Sequence, residues 1–191
     1  MAVPGPHPQT GRMSAAKRSA GLLLFRVVRT EAGEQDVEVL IGHMGGPFWT
    51  GREDAAWSLP KGEYGPDEEP AAAARREFEE ELGLPVPDGG WVPLGEARQR
   101  SGKTVVAWAV EGGLDPARVT PGVFTMEWPR GSGVQREFPE MDRFAWCTPD
   151  EAARRLIVGQ RVFVERLRAH VREGRAATGP RPGTSGPSPR P

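Results

Sequence analysis

Cysteine, tyrosine and long apolar runs are scarce in this 191-residue chain. Its single cysteine, Cys147, excludes a disulfide within the chain and a cluster of cysteine metal ligands. No apolar run approaches membrane-spanning length, and the N-terminus lacks an apolar segment of the secretory type. The three histidines are scattered, with no nucleophile elbow or Ser/His/Asp arrangement beside them. These absences favour a cytoplasmic protein without a membrane partner, and they argue against covalent catalysis.

The net charge of −1 conceals an uneven distribution of charge along the chain. Residues 1–20 and 174–191 together hold six basic and no acidic residues, which leaves residues 21–173 with a net charge of −7. Because nucleic-acid binding depends on many phosphate contacts, we expect no extended nucleic-acid surface. Residues 1–17 and 174–191 are rich in Pro, Gly, Ser and Ala and are predicted to be disordered tails. Residues 18–173 then form one predicted domain.

Strand and helix patterns alternate along this domain and predict an α/β fold. Strands are predicted at residues 19–28, 37–43, 91–100, 104–111 and 143–147, and a short apolar segment lies at residues 57–59. One helix is predicted to start near Asp67, an N-cap residue, and to stop at Gly83. Two more helices are predicted at residues 149–157 and 159–172, the first opened by a capping box. Residues 112–140 are rich in Gly and Pro and are expected to form a long irregular loop, a type of segment that is often functional.

The first predicted helix concentrates acidic residues on one face. Glu77, Glu80 and Glu81 are three or four residues apart and therefore share a side of the helix. The opposite face carries an apolar stripe made of Ala71, Ala74, Phe78 and Leu82. Like charges at this spacing repel unless a cation lies among them, so the pattern predicts a divalent metal site. All-oxygen ligands suit Mg²⁺, with Mn²⁺ as a substitute. Three glutamates alone would equally fit a solvated helix face.

The spacing of the whole segment decides between these two interpretations. It fits the pattern G-x5-E-x7-R-E-U-x-E-E-x-G-U, in which U is a bulky apolar residue. The nine defined positions are Gly62, Glu68, Arg76, Glu77, Phe78, Glu80, Glu81, Gly83 and Leu84. A chance match to all nine has a probability on the order of 10⁻⁶ to 10⁻⁵. The segment resembles the signature box of the Nudix hydrolase superfamily. This resemblance implies an α/β/α sandwich with a mixed sheet, a loop-helix-loop box and a Mg²⁺-dependent pyrophosphohydrolase.

The resemblance also implies a role for each charged residue of the box. Glu80 and Glu81 bind the metal ion directly, and Glu77 is either a further ligand or the base that activates water. Arg76 orients the glutamates. The backbone carbonyl of Lys61 is a candidate metal ligand.

Two further points follow from the resemblance and its variation between branches. Glu68 is expected to support the loop, and Gly62 to let the backbone pass close to the metal. The general base sometimes comes from a loop outside the box, and Glu137 and Glu140 are the candidates for that role here. An ordinary surface acid is the alternative for both.

The residues around the box bear on the substrate. Pro-Lys-Gly at residues 60–62 resembles the branches that cleave dinucleoside polyphosphates and diphosphoinositol phosphates, and Lys61 is a candidate phosphate contact. A tyrosine some seventeen residues beyond the box marks many diadenosine polyphosphate hydrolases, but residues 99–101 contain none. The candidates for base stacking are Tyr64, Phe48, Trp49 and the aromatic residues of 112–140.

Residues 97–104 satisfy a relaxed phosphate-loop pattern that ends in Gly-Lys-Thr. A true phosphate loop opens a helix, whereas the β-branched and aromatic residues after Lys103 predict a strand. Lys103 is therefore kept only as a candidate substrate contact, and an ATPase built on it is disfavoured.

The sequence thus predicts a hydrolase of nucleotide-type small molecules. A dinucleoside polyphosphate such as diadenosine tetraphosphate is the first choice of substrate. Nucleoside triphosphates, nucleotide sugars and RNA 5′-pyrophosphate are the rivals, and a nucleotide sensor without turnover is the non-enzymatic alternative. The sequence leaves the oligomeric state open.

Overall fold

Two long apolar strands form the centre of the fold. The structure is a computed structural model that describes residues 17–33, 35–100 and 102–178. Strand β1, Arg18–Arg29, is buried without interruption from Ser19 to Phe25, which is the pattern of a central strand covered on both faces. It pairs antiparallel with β2, Gln35–Met44. Gly33 lies between them with a φ of 79°, a left-handed conformation that glycine adopts without strain.

The remaining strands extend this pair into a mixed sheet and add a separate hairpin. They are β3 (Trp57–Ser58), β4 (Lys61–Glu63), β5 (Trp91–Arg98), β6 (Thr104–Glu111), β7 (Val123–Glu127), β8 (Gln135–Pro139) and β9 (Met141–Cys147). The sheet order is β3-β2-β1-β6-β5, with β4 beside β1 and β9 beside β2. β1 and β6 run parallel, and the other pairs are antiparallel. The predicted mixed sheet is confirmed.

Helices cover both faces of the sheet. They are α1 (Pro70–Leu82), α2 (Pro149–Arg155) and α3 (Arg161–Thr178). On one face, Phe78 of α1 is fully buried in a cluster with Leu22 of β1. On the other face, Phe163 of α3 is fully buried in a cluster with Leu23, the next residue of the same strand. Because alternate residues of a strand point to opposite faces, these two clusters confirm the predicted α/β/α sandwich.

The box helix begins later than its sequence indicates. Glu69, not Asp67, is the N-cap residue, and its extended backbone (ψ 129°) is the conformation that a following proline requires. Ala71, predicted in the apolar stripe, is exposed in the first turn of α1, whereas Ala73 is buried. The helix ends as predicted at Gly83, whose φ is 66° and whose N–H donates to the carbonyl of Glu79.

The region predicted as an irregular loop contains the β7–β8 hairpin. Phe124 and Phe138 lie opposite each other in it, and a short 3-10 turn at Pro116–Arg118 precedes it. Downstream, α2 ends at Arg155 because Leu156 is extended and bridges to β3.

Helix α3 runs to Thr178, five residues into the segment predicted as the C-terminal tail. The rest of that predicted tail, residues 179–191, and residues 1–16 of the N-terminal one lie outside the described residues. Of the helices in the described part of the chain, none combines the length and apolarity needed to cross a membrane.

Candidate active site

The box loop and the box helix meet where Gly62 faces Glu77. Gly62 lies opposite Ala20 in the β1–β4 pair, so the sheet fixes the backbone of the loop. A Cβ atom at Gly62 would overlap the carboxyl group of Glu77, which explains the need for glycine on steric grounds. The Glu77 side chain is only 13% exposed. Burial raises its pKa, and the neighbouring Arg76 opposes that effect.

The guanidinium group of Arg76 donates hydrogen bonds to three glutamates. Its Nε lies 2.9 Å from Oε1 of Glu68, and its Nη1 lies 2.6 Å from Oε1 of Glu77 and 3.1 Å from Oε2 of Glu80. A planar fork of five donors suits such a divided contact. The hydrogen bond to Arg76 lowers the pKa of Glu68, which keeps that carboxylate charged. Arg76 therefore fixes the direction of two predicted metal ligands and ties the loop to the helix.

Glu81 is the most deeply placed carboxylate of the box. It is 7% exposed, and its Oε2 accepts a hydrogen bond of 3.0 Å from the backbone N–H of Lys61. Burial raises its pKa to about 8, with Lys61 acting in the opposite direction and Glu140 and Glu77 adding to the rise. An anion in this position is unfavourable unless a positive charge comes close to it.

Glu140 joins the box carboxylates from the other side. Its N–H donates to the carbonyl of Gly122 (2.8 Å), and its own carbonyl accepts from the N–H of Gly45 (2.9 Å). A Cβ at Gly122 would lie 3.2 Å from Oε2 of Glu140 and 3.5 Å from the carbonyl of Glu80, so the Glu140 carboxylate lies beside the end of α1. Glu137, the other candidate base, lies on β8 and, like Glu140, is exposed.

The carboxylates are close to one another but are held by protein donors. Arg76 engages Glu77 and Glu80, and the Lys61 N–H engages Glu81. Within the residues that the structure describes, no three acidic or histidine side chains converge as a ready-made metal centre. The arrangement therefore supplies the ligand types for a hard divalent cation, and the side chains would have to turn toward it on binding.

A pocket with a volume of about 480 Å³ lies next to the box loop. Its cationic lining residues are Lys61, Arg100 and Lys103, and its other lining residues are Met44, Trp49, Ala55, Gln99, Ile157, Val158 and Gly159. Lys103 also forms an ion pair of 2.7 Å with Glu63, which lowers the pKa of that carboxyl group. The strand β6 starts directly after Lys103, so a phosphate loop opening a helix is not formed there.

The predicted stacking residues occupy different environments. Trp49 lines the pocket beside Lys61. Tyr64 packs instead against the apolar cluster under α1, and its hydroxyl is buried. Phe48 is 47% exposed and packs edge-on against Trp128 of the hairpin at a centroid distance of 5.4 Å. Of Tyr64, Phe48 and Trp49, Trp49 is therefore the one that lines the pocket beside the box loop.

A buried histidine anchors the loop that carries Trp49. His43 on β2 is 1% exposed, with Nδ1 at 2.6 Å from Oδ1 of Asp142 and Nε2 at 2.7 Å from the carbonyl of Arg52. Its ring also packs edge-on against Trp57. These contacts connect β2, the segment at Arg52 and β9, which is a structural role.

Sequence reasoning missed the two glycines that position Glu140. Each glycine, Gly122 or Gly45, forms one backbone hydrogen bond with Glu140. A Cβ at Gly45 would also overlap the carbonyl of Pro139. Gln99, which the sequence marks only as a position without tyrosine, also lines the pocket. The one available signal was the pair of glycines at 45 and 46, which marks a close approach of two backbones.

Comparison with known proteins gives the same fold. The structure is similar to a C. elegans Ap4A hydrolase binary complex, with 19% identity, a TM-score of 0.55, and 81% of this chain and 98% of that chain covered. It is similar to a MutT protein from Methanosarcina mazei Go1, with 23% identity, a TM-score of 0.51, and 85% and 97% covered. It is also similar to the NUDIX domain of Shewanella oneidensis NrtR complexed with ADP ribose, with 13% identity, a TM-score of 0.53, and 86% and 94% covered.

No curated protein matches the sequence. The model of the NUDIX domain family matches residues 23–167, which include the whole box and all three of its metal-ligand candidates. This match covers about three quarters of the chain. The chain belongs to the NUDIX domain family and is a Nudix hydrolase.

Proposed function

We propose that the protein is a Mg²⁺-dependent pyrophosphohydrolase of nucleoside diphosphates linked to another moiety, with dinucleoside polyphosphates as the preferred class. The observation that carries this proposal is the pair of carboxylates beside the box loop. Glu77 packs against Gly62, and Glu81 is buried next to it, so a nearby cation is needed to balance their negative charge. Nudix hydrolases generally use divalent metal cations.

The chemistry of the donors fits Mg²⁺. Glu77, Glu80 and Glu81 offer only oxygen atoms, and Mg²⁺ takes oxygen ligands together with water and phosphate. Glu81 is costly as a buried anion without a cation. We assign these three carboxylates to the metal, with the Lys61 carbonyl as a further candidate. Bound there, Mg²⁺ would neutralise phosphate oxygens and lower the pKa of a coordinated water.

The protein's own groups then have separate tasks. Lys61 and Lys103, which line the pocket, oppose the negative charge of the polyphosphate. Glu140 takes the proton of the attacking water, or Glu77 does so if only Glu80 and Glu81 bind the metal. The water oxygen forms a bond to one phosphorus while the bond to the leaving phosphate oxygen breaks. Arg76 keeps the carboxylates aligned, so it acts as a positioning residue.

The choice of substrate rests on the pocket and on residues 60–62, which lead into the box. The pocket beside Lys61 has aromatic and aliphatic walls at Trp49 and Ile157, which suit a nucleoside, and its cations face the box. The Pro-Lys-Gly entry at residues 60–62 and the likeness to an Ap4A hydrolase point in the same direction. The likeness to a NUDIX domain bound to ADP ribose keeps nucleotide sugars as the second candidate.

A substrate panel tests the proposal. The protein is incubated with Mg²⁺ and diadenosine tetraphosphate, ATP, ADP-ribose or a 5′-triphosphorylated RNA, and the products are separated by chromatography. Mononucleotide products from diadenosine tetraphosphate at the highest kcat/KM support the first choice. Faster turnover of another member moves the assignment to that substrate, and no turnover of any member favours the sensor.

A further inference from the structure

The buried side chain of His43 lies between two groups that accept hydrogen bonds and donate none. Its Nδ1 lies 2.6 Å from Oδ1 of Asp142, and its Nε2 lies 2.7 Å from the backbone carbonyl oxygen of Arg52. A neutral imidazole has a single N–H donor, so one ring nitrogen would direct its lone pair at an oxygen atom that also has only lone pairs. Both contacts are hydrogen bonds only when a second proton is shared by His43 and Asp142.

The charges around His43 balance one another. In the described part of the chain, the elements packed against it supply two acidic and two basic side chains: Asp142 and Arg143 on β9, Glu53 in the loop after β2, and Arg155 on α2. Both arginines lie over the ring of Trp57, which packs edge-on against His43. Because these four charges cancel, the two oxygen atoms in direct contact with the ring decide where the second proton is held.

His43 supports the loop of residues 45–56, which carries Trp49. Arg52, whose carbonyl contacts the imidazole, donates its own N–H to the carbonyl of Trp49 (3.0 Å), and its guanidinium group lies over the Trp49 ring at 5.1 Å from the centroid. The candidate base has a separate anchor, since the carbonyl of Glu140 accepts from the N–H of Gly45 without involving the imidazole. A change at His43 therefore reaches the pocket wall at Trp49 and leaves the anchor of Glu140 in place.

We propose that His43 is a positioning residue whose second proton, shared with Asp142, holds the loop of residues 45–56 against the pocket that binds the nucleoside. This inference rests on the proposed function, since that function places a nucleoside in the pocket. At low pH both hydrogen bonds are present. As the pH rises the second proton leaves to solvent, and one of the two hydrogen bonds is lost because His43 then has a single donor. The loop loosens and substrate binding weakens.

The variant Asp142→Asn separates the second proton from the shape of the site. An amide can donate to Nδ1 while the Nε2–H group donates to the carbonyl of Arg52, so a neutral His43 satisfies both contacts. NMR of the imidazole nitrogens from pH 6 to pH 9 checks this difference. The wild type should have protons on both nitrogens at pH 6 and lose one as the pH rises. Asp142→Asn should show a single tautomer, protonated at Nε2, over the whole range.

Kinetics with Mg²⁺ and diadenosine tetraphosphate tests the effect on binding. The KM of the wild type divided by that of Asp142→Asn should rise about tenfold from pH 6 to pH 9, the effect of losing one buried hydrogen bond. The ratio removes the pH effects that the two proteins share, such as titration of the box carboxylates. Asp54→Asn is the matched control, because Asp54 is an exposed acid of the same loop and the change of charge is the same. It should keep the pH dependence of the wild type.

The outcomes separate this inference from the proposed function. A single protonated nitrogen on wild-type His43 at pH 6 overturns the role of His43. A KM ratio that does not change with pH, or a change confined to kcat, overturns it as well and leaves the proposed function standing. Absence of all turnover refutes the proposed function, and hydrogen exchange of residues 45–56 then decides about His43. Corrected for the intrinsic rate, this exchange should increase with pH in the wild type, and an equal increase in Asp142→Asn overturns the inference.

Discussion

Replacing Glu81 by glutamine should make the metal-free protein more stable at pH 8 while removing its hydrolase activity. Burial raises the pKa of Glu81 to about 8 in the folded protein, against an ordinary value of 4.5. A neutral amide in this buried position avoids the cost of an anion and keeps an oxygen for the N–H of Lys61. The pKa difference corresponds to a stabilisation by Glu81→Gln of roughly 2–4 kcal/mol at pH 8.

The sign of the pH dependence follows from the direction of the shift. The folded protein holds the proton of Glu81 more tightly than the unfolded chain does. Its contribution to stability is therefore fully present below pH 4.5 and is lost as the pH rises toward 8. The free energies of unfolding of wild type and Glu81→Gln should converge at pH 4.5 and separate steadily above it.

Urea unfolding in EDTA, followed by tryptophan fluorescence from pH 4.5 to 8.5, measures this difference. Glu79→Gln is the matched control, because Glu79 lies on the same helix and is exposed. Its free energy of unfolding should stay close to that of the wild type in the same buffers, because its side chain is exposed. Saturating Mg²⁺ should stabilise the wild type and not Glu81→Gln, since only the former retains the carboxylate ligand. A Glu81→Gln variant that is no more stable than wild type at pH 8 in EDTA would refute the reasoning.

Three other substitutions probe the site through steady-state kinetics, with Tm as the check on folding. Gly62→Ala should lower kcat about a hundredfold, because the added methyl group displaces the Glu77 carboxyl group, and near-normal kcat would contradict that contact. Glu140→Gln should lower kcat by about 10² to 10⁴ if Glu140 is the general base. Glu137→Gln is its control, and equal effects of the two would remove Glu140 from that role. Lys103→Ala should raise KM up to about tenfold with little change in kcat, and a collapse of kcat would restore the phosphate-loop interpretation.

The box was readable from the sequence because its chemistry depends on local spacing. Glu77, Glu80 and Glu81 lie on one helix, and Gly83 ends that helix as its position indicates. The apolar run of β1 predicted a strand buried on both faces, and the structure confirms it. Local signals of this kind need no knowledge of the rest of the chain.

The remaining parts of the site depend on contacts between distant segments. Glu140 reaches the box through backbone hydrogen bonds to Gly122 and Gly45, and no periodicity in the sequence encodes such pairs. The hairpin at β7–β8 was missed because its glycines and prolines obscure the alternation of its short strands. The sequence predicts too early a start for α1 because Asp67 is the better capping residue, whereas Pro70 sets where the helix begins.

The parallel pairing of β1 with β6 has a consequence for the protein during its synthesis. Arg18 pairs with Thr104, so the whole box emerges from the ribosome before the partner of β1 has been made. Until then β1 exposes an apolar edge with unpaired backbone groups, which can pair with another chain. A chain that stops near residue 100 would carry every box carboxylate and would still be prone to aggregate. The box is thus contiguous in sequence but is not a folding unit.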